Sequence, residues 1–115
     1  MPQEPLLIEE RPGSRDGVHI LKLSGPIVLT NLFDFQAKIR ANSSPALILD
    51  FTNVPLIDSA GVGALVGGYV SREKSGRTLA LVGVNQRIKN VLDVTRVLSF
   101  FKIFDTVEDA ETVTA

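Results

Sequence analysis

The chain has no cysteine and only one histidine. Without cysteine there can be neither a disulfide framework nor a thiolate metal site, which agrees with a reducing compartment. With His19 as the sole imidazole, two-histidine metal spacings such as H-E-x-x-H cannot occur. An excess of one charge is also missing, since 12 Lys and Arg stand against 13 Asp and Glu. No dense basic run is present, so no nucleic-acid partner is expected, and Arg87 with Lys89 reads as a solvated helix face. Met1-Pro2-Gln3-Glu4-Pro5 lacks the basic residues that precede the apolar core of a signal peptide. The longest apolar run falls far short of the roughly 20 residues that span a bilayer. Internal repeats and low-complexity tracts are absent. The expectation is a soluble, cytoplasmic protein with no membrane partner.

What is there fits one globular domain over residues 1–115, with short frayed tails at about 1–5 and 111–115. Leu6–Glu10 reads as an edge strand. The turn formers Pro12-Gly13-Ser14-Arg15-Asp16-Gly17 follow, and then a second strand, Val18–Ser24, closed by Gly25-Pro26. Leu32, Phe35 and Ile39 recur at helical spacing behind Thr30 or Asn31 as a cap. Ala46–Phe51 is a nearly unbroken apolar run, the pattern of a strand buried on both faces. A loop through Pro55 leads to a helix from Ala60 to about Ser75, stopped by Gly76. Thr78–Val82 is another strand, and Asn85 caps a helix whose inner face holds Ile88, Val91 and Leu92. Phe100–Phe104 is the last strand, and Thr106 caps a final short helix with Val107 and Ala110 facing inward. The order β-β-α-β-α-β-α-β-α implies right-handed parallel crossovers after an antiparallel first pair. The fold class is α/β: a four- to five-stranded mixed sheet, antiparallel at one edge and otherwise parallel, with about four helices.

One segment stands out, Leu56-Ile57-Asp58-Ser59-Ala60-Gly61-Val62-Gly63-Ala64-Leu65. It joins the carboxyl end of a central strand to a helix start, the edge where open α/β sheets bind ligands. The first N–H groups of a helix favour a negative group by roughly 0.3–1 kcal/mol, so a phosphate on Ser59 would lie in a favourable field. Asp58 or Ser59 also reads as nothing more than an N-cap worth about 1 kcal/mol. Against that, Gly61, Gly63, Gly67 and Gly68 each cost the helix roughly 1 kcal/mol relative to alanine. Such small residues permit close approach, either to the sheet or to a partner. A nucleophile elbow is unsuited to the segment, because Ile57 replaces its first glycine and the sole histidine precedes the serine. The glycines miss G-x-G-x-x-G by one position, and no phosphate-binding loop of the G-x-x-x-x-G-K-[ST] form occurs. Asp50 and Asp58 flank one loop but lack a third ligand. The chain is expected not to be an enzyme.

These residues resemble the STAS domain, and in particular the bacterial anti-sigma factor antagonists. The likeness is most specific over Ala46–Leu65, where a buried strand leads into Ile57-Asp58-Ser59-Ala60-Gly61. Gly25, the run Leu79–Val84 followed by Asn85, and Phe104–Ala110 add to it. The resemblance implies an unphosphorylated form that binds an anti-sigma factor, often itself a serine kinase, and so frees the sigma factor. Phosphorylation at Ser59 would end binding, and a PP2C-type phosphatase would restore it. ATP belongs to the kinase, so no cofactor is implied for this chain. The implied partner surface comprises Leu56, Ile57, Asp58, Ser59, Ala60, Gly61, Val62 and Gly63, the exposed face of the second helix, and the Gly25–Asn31 turn with Thr30 and Asn31. Arg72, Glu73 and Lys74 read as ordinary surface charges. A monomer or weak dimer is expected. Where the family commonly has acidic residues after the glycine that ends the second strand, this chain has Pro26-Ile27-Val28. The alternative implied by the family is a scaffold or transport-complex module that binds a protein partner without serine phosphorylation.

Overall fold

The computed structural model describes residues 5–114, with side chains described to residue 112. The strands are β1 (Leu7–Pro12), β2 (Val18–Ser24), β3 (Ala46–Asn53), β4 (Thr78–Val82) and β5 (Lys102–Phe104). The helices are α1 (Leu32–Ala41), α2 (Ser59–Lys74), α3 (Gln86–Val94) and α4 (Val107–Thr114), with a 3₁₀ turn at Leu98–Phe100. The sheet runs β1-β2-β3-β4-β5, antiparallel between β1 and β2 and parallel thereafter. Fold class and topology are therefore those the sequence pattern predicts.

Strand alternation divides the core in two, since successive side chains point to opposite faces. Leu21, Leu23, Leu47, Leu49, Phe51, Leu79 and Leu81 pack with the inner faces of α1, α2 and α3. Val18, Ile20, Ala46, Ile48 and Val82 point the other way and are covered around Ala110, Val107 and Phe104. Three helices thus cover one face, while α4 alone shields the second. The parallel strands all direct their carboxyl ends to one edge, and the β2–α1 and β3–α2 connections lie there.

Three expectations need correction. Residues 1–4 and 115 lie outside the described residues, but 111–114, expected as a tail, continue α4. Glu111 is buried, and its carboxylate accepts the Ser14 N–H at 2.7 Å and the Ser14 hydroxyl at 2.8 Å. The β-branched Thr-Val-Thr ending gives weak helix propensity, and this tertiary anchor overrides it. The Ser14 hydroxyl, aided by its N–H, holds the Glu111 carboxyl below its ordinary value. Second, Phe100 and Phe101 precede β5 rather than form it. Their rings pack on Tyr69, stacked at 5.8 Å and edge-on at 5.4 Å, and the 3₁₀ turn aims them there. Third, Arg72 is not a surface charge but 3% exposed. Its guanidinium donates to the carbonyls of Thr78 at 2.8 Å, Asn42 at 3.1 Å and Ser44 at 2.6 Å. It ties the end of α2 to the start of β4 and to the α1–β3 connection. Burial, with Arg77 nearby, lowers its pKa to about 10, so it stays charged at neutral pH.

Candidate functional site

The β3–α2 connection is held against the turn that follows β2. Ile27 bridges Ile57 in parallel fashion. The Ile27 N–H donates to Leu56 O at 3.1 Å, and the Asp58 N–H donates to Ile27 O at 3.2 Å. Asp58 is the N-cap of α2, its Oδ1 accepting the Gly61 N–H at 2.8 Å. Its Oδ2 accepts the Leu29 N–H at 3.0 Å, across 29 residues of sequence. Asn31, expected as a side-chain cap for α1, makes no such cap. Its Oδ1 accepts the Val28 N–H at 3.0 Å and its Nδ2 donates to Pro26 O at 2.9 Å, so it fixes the turn instead.

Ser59 is the first residue of α2 and is exposed, with Leu56 and Ala60 half-buried beside it. Gly63 and Gly67 follow on the outer face, where an added Cβ would meet nothing within 4 Å. Thr30 is exposed and Asn31 half-buried on the neighbouring turn. Three residues expected on the partner surface belong elsewhere. Ile57, Gly61 and Val62 are buried, because helical spacing turns Gly61 and Val62 inward while the bridge to Ile27 draws Ile57 under the turn. A Cβ at Gly61 would overlap the Ile27 carbonyl oxygen and lie 2.6 Å from Ile57 Cγ1. Gly61 therefore serves a close backbone approach within the fold. Gly68 likewise faces α1, where an added Cβ would lie 3.0 Å from Ile39 Cγ2.

The sequence supplies no Lys, Arg or His over 23–37 or 47–71, which hold the turn after β2 and the start of α2; Arg40 borders α2 farther along, beside Ala64, Gly67 and Ser71. The charges of those two stretches are Asp34, Asp50 and Asp58, and from Ser59 to Ser71 α2 carries none. Two large apolar side chains that the pattern around Ser59 does not mark are exposed: Leu29, tied to the site through Asp58, at 63%, and Phe33, in the first turn of α1, at 73%. A signal existed for Phe33, which lies off the Leu32–Phe35–Ile39 stripe. His19, the second residue of β2, lies near Glu10 and Asn42, at the opposite edge of the sheet from Ser59. Among the described residues no three His, Asp or Glu side chains gather as a metal site, and no helix is long and apolar enough to cross a membrane.

The family model of the STAS domain matches residues 13–110. A Thermotoga maritima protein assigned to the anti-sigma factor antagonists is 34% identical over 64 residues, covering 56% of this chain and 57% of that relative. The chain thus matches little more than half the length of that relative. The anti-sigma F factor antagonist of Paenibacillus polymyxa is 26% identical over 100 residues, covering 84% of this chain and 86% of the other. The crystal structure of an anti-sigma factor antagonist from Mycobacterium paratuberculosis superposes with a TM-score of 0.76 at 25% identity, covering 95% of this chain and 92% of that one.

Proposed function

The chain belongs to the STAS domain family, and on that premise we propose that it is an anti-sigma factor antagonist switched at Ser59. In this reading the unphosphorylated chain binds an anti-sigma factor that is also a serine kinase, and the sigma factor is released. Phosphorylation of Ser59 abolishes the complex, and a PP2C-type phosphatase reverses it. The chain itself catalyses nothing and needs no cofactor.

The observation that carries the reading is the setting of Ser59: exposed at a helix start, with no cation in the stretches 23–37 and 47–71 around it. A phosphate adds about 1.5–2 negative charges. The helix terminus favours it by at most about 1 kcal/mol, so the modified chain remains folded. Nothing in 23–37 or 47–71 pairs with it, and Asp58 alongside is already an acid. A partner that closes over this surface without a matching cation of its own must then desolvate the dianion, at a cost of several kcal/mol. Weakening a complex from micromolar to millimolar requires only about 4 kcal/mol. One phosphate is sufficient, and no rearrangement of the fold is required. Retention of the serine at this position favours the switch over a scaffold that lacks phosphorylation.

The test is incubation with the cognate anti-sigma kinase and ATP, followed by intact-mass measurement and site mapping. The expected result is one phosphate, on Ser59, with loss of the complex. Incorporation at another residue, or a phosphorylated chain that binds as well as before, overturns the proposal.

A further inference from the structure

Leu29 presents a large exposed side chain from a turn that is nonetheless fixed. The Asn31 side chain spans the turn, bonded to the Val28 N–H and to Pro26 O, and the Asn31 N–H donates to Val28 O at 3.0 Å. The Leu29 N–H itself is held by Asp58 Oδ2 at 3.0 Å. That oxygen is not required for starting α2, because Oδ1 alone caps Gly61 at 2.8 Å. Fixing the backbone beneath an exposed apolar side chain gains no burial and carries an entropic cost. Such an arrangement lowers the ordering cost of association when a partner covers the residue.

We propose that Asp58 is a positioning residue for docking: its second carboxylate oxygen holds the Leu29 backbone so that the Leu29 side chain and the Ser59 hydroxyl form one surface for the anti-sigma factor. This rests on the proposed function, and it assigns separate tasks to the two oxygens of one carboxylate. Oδ1 belongs to the helix, and Oδ2 belongs to the interface.

Asp58→Ser separates the tasks, because a serine caps a helix as well as aspartate but is too short to bridge to Leu29. Amide hydrogen exchange in the free chain is the first readout. The Leu29 amide is expected to exchange about tenfold faster in Asp58→Ser, with Val28 and Gly61 unchanged. Unchanged Leu29 exchange overturns the proposal. If the Gly61 bond is also lost in that variant, Asp58→Asn keeps a strong cap and replaces one acceptor by a donor, so the same comparison is made there. The second readout is a double-mutant cycle with Leu29→Ala, using a purified anti-sigma kinase that binds the wild-type chain. Each single change is expected to weaken binding about tenfold, and the double variant no more than either alone. A double variant weakened a hundredfold means that Asp58 does not act through Leu29 and overturns the proposal. Should the wild-type chain bind no anti-sigma kinase, the functional reading and the docking role fail together. The exchange measurement, which needs no partner, still decides whether Asp58 holds the turn.

Discussion

Three chemically identical substitutions in α2 should have opposite signs. Replacing glycine by alanine in a helix interior gains about 1 kcal/mol of propensity. At Gly63 and Gly67 an added methyl meets nothing within 4 Å. Gly63→Ala and Gly67→Ala should therefore each stabilise the chain by about 0.5–1 kcal/mol. At Gly61 the methyl overlaps the Ile27 carbonyl oxygen and presses Ile57 Cγ1 at 2.6 Å. That oxygen cannot retreat freely, since it accepts the Asp58 N–H at 3.2 Å. Overpacking typically costs about 1–3 kcal/mol, which exceeds the propensity gain, so Gly61→Ala should destabilise by about 1–2 kcal/mol. For a domain of this size 1 kcal/mol moves Tm by about 4 °C. Calorimetry and urea titration of the three variants in parallel measure this directly. The midpoint should rise for Gly63→Ala and Gly67→Ala and fall for Gly61→Ala. A Gly61→Ala variant as stable as wild type would refute the close-approach reasoning. A destabilised Gly63→Ala would mean that the outer face of α2 is not open. In the proposed complex Gly63→Ala should also weaken binding while it stabilises the fold, a combination that global unfolding cannot produce.

Ser59→Asp should weaken anti-sigma factor binding at least about tenfold, while Ser59→Ala binds normally and takes up no phosphate; equal binding by both variants counts against the switch. Arg72→Met removes three hydrogen bonds from a buried cation and should cost about 2–4 kcal/mol in urea unfolding. Arg72→Lys should recover only part of that, because one ammonium cannot reach three separate carbonyls, and a loss below about 1 kcal/mol for either contradicts the clamp. Because the Glu111 carboxyl is lowered in the fold, its contribution is complete above the unfolded-state value of about 4.3 and disappears as pH falls through the lower folded-state value. Wild type should therefore lose its advantage over Glu111→Gln in urea midpoints taken down that range, and midpoints that stay parallel throughout would speak against the Ser14 contact.

Strand order and helix positions were legible because each rests on a local pattern. The short apolar stretch Val18–Ser24 between turn formers, the apolar run at Ala46–Phe51 and the capping asparagine at 85, whose Oδ1 accepts the Ile88 N–H at 2.8 Å, are all readable over a few residues. Ser59 was placed at a helix start for the same reason. What escaped were pairings across long separations. Glu111 meets Ser14 across 97 residues, and that contact makes a helix of what composition suggests is a tail. Arg72 follows a solvent-like rhythm with Glu73 and Lys74, yet carbonyls from the α1–β3 connection and from the start of β4 draw it inside. Gly61 and Gly63 look alike in sequence. Only the position of the Ile27 carbonyl makes the first a packing requirement and leaves the second facing solvent. Leu29 falls within the Gly25–Asn31 turn expected beside the site, but its tie to Asp58 spans 29 residues and no local pattern shows it.

The antiparallel pairing of β1 with β2 also fixes how this module is approached by anything attached to it. Leu7 lies opposite Ser24, and a Cβ on Gly25 would strike the Pro5 carbonyl, so Pro5 sits at the end of the sheet that carries the Ser59 surface. The last described turn, at Glu111, rests on Ser14 at the far rim. A fluorophore, affinity handle or fused protein joined after α4 leaves the docking face clear, whereas the same cargo joined ahead of β1 crowds it.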